Sequence, residues 1–194
     1  MSGDLHDEHP AGDDGREAPG ALRVVQELIN THDLDDHSDA LGDAGALSAW
    51  LTERGLAAPG SLFDAADLAR VHAVREGLRA AALVHSGHDA DPAALERLRS
   101  EAARAPLEVR FEDGRPLLSP AATGASGAIA QVLAIVARAE ADGSWARFKA
   151  CPADDCHWAF YDHSRNRSRT WCSMVVCGNR AKARAYRARS GRGA

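Results

Sequence analysis

Long apolar runs are missing from this chain. No stretch reaches the roughly 18 consecutive apolar residues that a membrane-spanning helix needs, so the sequence offers no membrane span. The opening MSGDLHDEHPAGDDGREAPG lacks both a basic start and an apolar centre. That excludes a secretory leader within it, and the expectation is a chain that stays in the cytoplasm. Aromatic residues are scarce, at 5% against 45% apolar residues in all. The core must therefore be mostly Ala, Leu and Val, a mixture that suits close-packed helices better than a broad sheet. No P-loop, dinucleotide fingerprint or nucleophile elbow occurs, so no motif points to an enzyme. Cysteine is absent from everything before residue 151.

What is present divides unevenly. From Cys151 onward stand nine Lys or Arg and three Asp, a net +6, so the rest carries −11 within a total of −5. An acidic body with a basic end indicates two tasks, and the basic end is where a polyanion would bind. Residues 1 to about 20 are Gly, Pro and acids with almost no apolar content. They bury too little to offset the entropy of ordering, so they read as disordered, with His6 and His9 solvated.

From residue 21 the spacing predicts helices. Leu22, Val25, Leu28 and Ile29 form one stripe, and Leu47, Trp50 and Leu51 form another behind an Asp43 cap. A long helix runs from Asp64 to Ser86-Gly87 through Leu68, Val71, Arg75, Leu78 and Ala82. Asp91-Pro92 opens a fourth, and Ile129, Val132, Leu133 and Val136 mark a fifth. Between these two, LEVRFEDGRPLL alternates around Asp113-Gly114, the signature of a β-hairpin near 107–118. The expected fold is mainly α (α+β with one β-hairpin). A helical domain over 21–145 precedes a small four-cysteine unit over 146–194.

The cysteines are spaced Cys-x4-Cys-x15-Cys-x4-Cys. Two pairs on separate turns can aim four sulfurs at one point, which fits a tetrahedral zinc held by Cys151, Cys156, Cys172 and Cys177. Such a closed shell leaves no position for water, so the ion would be structural. Two disulfides are an alternative that fits a reducing compartment badly, and His157 or His163 could replace one thiolate. Beyond the last cysteine, AKARAYRARSGRGA is a strong helix mixture with cations on both faces. Arg180, Arg184 and Arg187 share one side, and Lys182 and Arg189 lie on the other with Tyr186. SRNRSR adds Arg165, Asn166, Arg167 and Arg169, and Asn179 precedes Arg180. Arginines with hydroxyl and amide donors between them suit a sugar-phosphate backbone. The plainer alternatives are a solvated basic tail and cations that offset the −2 of a four-thiolate zinc. Trp158, Phe160, Tyr161 and Trp171 could stack on bases or form a small core around the metal.

The run from Cys156 to Arg180, with its FYD, SRNRS and WCSM elements and the closing Cys177-Gly178-Asn179-Arg180, resembles the CGNR zinc finger. In that family the finger follows an ABATE domain. LINTHDL near residue 30, Leu47 to Leu51 and Gly55-Leu56 are similar to its opening, although His32 departs from the arginine usual there. The resemblance implies a transcription regulator with the finger as its DNA-binding part. Its alternatives are an RNA-binding module and a finger that docks on protein. The helical body would sense a small effector or form a homodimer. Asn30, Thr31 and Asp33 are either a polar ligand site or a helix end capped by its own side chains.

Overall fold

The computed structural model describes residues 15–190. The disorder expected for residues 1–14 and the last basic residue, Arg192, lie outside them. Helix α1 (Leu22–Asn30) buries Leu22, Val25, Leu28 and Ile29. Helix α2 (Ala44–Glu53) starts where the Asp43 carboxylate accepts the Ala46 N–H, and buries Leu47, Trp50 and Leu51. Helix α3 (Ala65–His85) opens on a capping box of Asp64 and Asp67 and ends ahead of Gly87 at φ +80°, a left-handed stop that glycine adopts without strain. Helix α4 (Pro92–Ala103) is capped by Asp91, with proline at its first turn. Strands β3 (Leu107–Glu112) and β4 (Arg115–Pro120) form the expected hairpin. Asp113 and Gly114 both have positive φ, as a tight primed turn requires. Helix α5 (Gly124–Ala141) closes the body.

Helix α3 is the axis against which α1, α2, α4 and α5 pack. Its approach to α4 is close at Gly77, where an added Cβ would lie 2.4 Å from Leu98 Cβ. The stripe on α3 includes Arg75, which is only 3% exposed. The structure makes that tolerable with Asp39, which accepts two guanidinium hydrogen bonds at 2.7 and 2.8 Å. Asp39 belongs to a short antiparallel pair absent from the sequence reading, β1 (His32–Asp33) with β2 (Ser38–Asp39).

One expectation needs correction. Order begins before residue 21: Arg16 O accepts the Tyr161 amide at 2.8 Å, and the Ala18 amide reaches Gln26 Oε1. Backbone pairing with a distant segment supplies what the apolar-poor residues 15–20 lack by themselves. Across the boundary expected near residue 145, the two segments pack together. Strands β5 (Phe148–Ala150) and β6 (Ala159–Tyr161) pair as Phe148 with Tyr161, Lys149 with Phe160 and Ala150 with Ala159. Phe148, Ala150, Ala159 and Tyr161 join the helical core, whereas Phe160 joins a second cluster around the cysteines. The two-residue period of a strand thus gives one small hairpin a face for each unit.

Candidate metal centre and basic surface

Cys151 follows β5, and its amide donates to Trp158 O at 2.9 Å. Cys156 closes a turn on Ala153 O, and His157 next to it takes a left-handed conformation. Cys172 precedes Ser173, whose hydroxyl caps the wide helical turn Met174–Gly178 by accepting from Val176 N–H. That turn carries Cys177 and runs into helix α6 (Asn179–Ser190). A Cβ on Gly178 would lie 2.7 Å from the Met174 sulfur, so a glycine here lets that side chain fold back over the turn. Asn179 is the exposed first residue of α6.

All four cysteines are buried and their Sγ atoms lie within 4.8 Å of one another. Cys156 to Cys172 is 3.5 Å and Cys172 to Cys177 is 3.6 Å. A zinc–sulfur bond of about 2.3 Å gives a tetrahedron edge of about 3.8 Å, close to both separations. A disulfide would need about 2.05 Å, and none is formed. Hydrogen bonds from Cys151, Cys156 and Cys172, and one from Arg180, push the Cys177 thiol well below its ordinary value. His163 turns away to Glu17 O. The donor set is therefore four soft sulfurs with a cation beside them, which fits a tetrahedral zinc.

Arg180 places two nitrogens 3.0 Å from the two Asp35 oxygens and one of them 3.6 Å from Cys177 Sγ. It thereby joins the cysteine cluster to the β1–β2 loop. Asp155 Oδ2 lies 3.5 Å from Arg180 and 3.4 Å from Arg184. On the other side of the cluster, Lys149 donates to Asp162 Oδ2 at 2.8 Å and to the carbonyls of Arg167 and Arg169. Burial raises the Asp162 carboxyl. Hydrogen bonds from Lys149, from Ser164 and from the Arg169 amide outweigh it and hold the group down to about 2. This buried pair shapes the 164–169 loop from within, leaving Arg165, Asn166 and Arg167 exposed.

The other cations are in different situations. Arg169 is half-buried, its guanidinium carbon 6.0 Å from the Phe160 ring centre. Lys182, Arg187 and Arg189 are exposed along α6. Among the described residues no acid pairs with Arg165, Arg167, Lys182, Arg187 or Arg189. Phe160 and Tyr161 are buried, and Trp158 and Trp171 pack against the cysteine cluster.

Asn30 and Thr31 make hydrogen bonds within the fold. Asn30 donates to Ala159 O at 3.0 Å and accepts from Ala159 N at 2.7 Å, copying a strand partner. Thr31 donates to Leu28 O and accepts from Arg75. Asp33 caps the amides of Asp35 and Asp36. Asp35, Lys149, Asp162 and Arg79 escaped the sequence reading. Arg79 links three carbonyls, Ile29, His32 and His157. Nothing local flags such residues, because their partners lie far away in the chain.

The ABATE profile, described as "Putative stress-induced transcription regulator", matches residues 22–143. This chain belongs to the ABATE family. The CGNR zinc finger matches residues 147–190, directly after the ABATE domain. Neither is a family of enzymes. No curated protein matches the chain. Among the described residues of this ABATE protein, no helix is long and apolar enough to cross a membrane.

Proposed function

We propose that this ABATE protein is a DNA-binding transcription regulator whose C-terminal finger is held rigid by one structural zinc ion. Cys151, Cys156, Cys172 and Cys177 hold the ion as thiolates, and a full set of four leaves it no catalytic position. Zinc supplies the cross-link that this short segment needs in order to order its loop and helix. The supporting observation is a set of exposed cations that no acid pairs with among the described residues: Arg165 and Arg167 on the loop, Lys182, Arg187 and Arg189 on α6. Asn166 and Asn179 add exposed amide donors. Arg180 serves the metal and the Asp35 contact, while Arg169 and Arg184 lie at the margin of the binding face. Duplex DNA is favoured over single-stranded RNA because four finger aromatics are spent on packing, which leaves little for base stacking. The helical domain carries the effector or dimer function. A groove lined by Leu22, Pro116, Leu118 and Ile135 is where an effector would sit.

Anisotropy titrations of metal-loaded protein on duplex DNA test this. Affinity falls steeply with salt, and Arg165→Ala or Arg167→Ala each reduces the log–log salt slope by about one. No binding at low salt would end the proposal. Tighter binding of single-stranded RNA in competition would move the function to RNA. Equal affinity for any polyanion would favour docking on protein.

A further inference from the structure

The β3–β4 hairpin has two unlike outer edges. Glu112 faces Arg115 across the two-residue turn, and at the other end Pro106 O accepts the Ala121 amide at 2.9 Å. A two-residue turn closes on a hydrogen-bonded pair, and such pairs alternate along the ladder. The even-numbered residues of β3 therefore direct their amide and carbonyl groups at β4. Leu107, Val109 and Phe111 direct theirs outward. On β4 the outward positions are Pro116, Leu118 and Pro120. Two of these have no N–H to offer, the usual way of blunting an edge. β4 also lies against α5. β3 has no such protection. The sheet stops at two strands, and among the described residues nothing bonds to the outward groups of Leu107, Val109 and Phe111. On the adjoining face Val109 is 62% exposed and Phe111 72% exposed.

We propose that β3 is a dimerisation strand. Its outer edge pairs antiparallel with β3 of a second copy about a twofold axis through Val109, giving a four-stranded sheet in the order β4, β3, β3, β4. The charges on the strand select both the partner and the register. Outward groups can meet outward groups with Val109 facing Val109, or with Arg110 facing Arg110. The second register also sets Glu108 against Glu112, so like charges oppose throughout. The first sets Glu108 against Arg110 twice and Leu107 against Phe111 twice. Registers centred nearer either strand end lose much of the pairing. Within one strand Arg110 already reaches Glu108 at 2.6 Å. The dimer extends that pair into a ring of four alternating charges. A strand that is its own electrostatic complement identifies a second copy of this chain as the occupant. The dimer does not depend on DNA binding, although it would bring two fingers to one duplex.

Sedimentation velocity on the full-length, metal-loaded protein, without nucleic acid, provides the test. The wild type is expected to convert from monomer to dimer as concentration rises. Over the same series, amide exchange slows at Val109 and Phe111 and stays unchanged at Arg110. Val109→Pro removes an outward N–H at the axis and leaves the hairpin's own ladder intact, so it remains monomeric with unaltered helix content. Arg110→Glu weakens the dimer about tenfold. Adding Glu108→Arg to that variant restores complementarity and with it the dimer. A chain that sediments as a monomer throughout overturns the proposal, as does a dimer indifferent to Val109→Pro.

Discussion

Arg180 closes a cysteine-rich motif at the start of a basic helix, a position that invites a phosphate. Its guanidinium instead grips both Asp35 oxygens and touches Cys177 Sγ. A planar fork suits this arrangement and an ammonium does not. Arg180→Ala is expected to cost about 1–2 kcal/mol, since the pair is only partly buried. Zinc should then pass to a chelator several-fold faster, and Arg180→Lys should recover little of the loss. If Arg180→Ala lost DNA affinity while its melting temperature and metal retention stayed at wild-type values, the residue would be a phosphate contact and not a brace.

At the scale of elements, the β5–β6 hairpin matters more than its six residues suggest. One face lies in the helical core, and Lys149 on the other ties Asp162 to the arginine loop. Removing one member of a buried ion pair leaves the other charge uncompensated, at a cost of about 3–5 kcal/mol. Lys149→Met is expected to show a loss of that size in urea unfolding followed by tryptophan fluorescence. Near-wild-type stability would mean that the loop does not depend on the pair. The Asp162 carboxyl is depressed on folding. Its contribution is therefore complete above the ordinary aspartate value of about 4 and fades as pH falls toward about 2. The sequence displayed the helices and the β3–β4 hairpin, because stripes, caps and turn residues are local signals. Lys149 and Asp162 were not legible, since a charge inside a short apolar strand has no meaning until its partner is known.

Across the whole molecule, the cysteine cluster and the helical body share one structure. From the sequence alone, chelation should unfold the finger and leave the helices intact. The structure argues for coupling: Phe148 and Tyr161 sit in the body's core, Asn30 and Gln26 hold Ala159 O, and Arg79 holds His157 O. Chelation is expected to lower the melting temperature of the helical signal by several degrees or more, as a loss of a few kcal/mol does in a chain this long. A helical transition left in place after zinc removal would show two independent units.

Taken alone, the sequence determined the helical body, its caps, the hairpin turn and the four cysteines at metal-site spacing, all of which follow from residues near one another in the chain. The tertiary structure alone decided that the four sulfurs meet in one buried cluster, that Asn30 bonds the backbone of Ala159, and that Arg180 bonds Asp35. It also decided which cations stay unpaired. Whether a polar group is free or spent depends on what packs beside it, and Asp35 and Ala159 come beside their partners only when the chain folds.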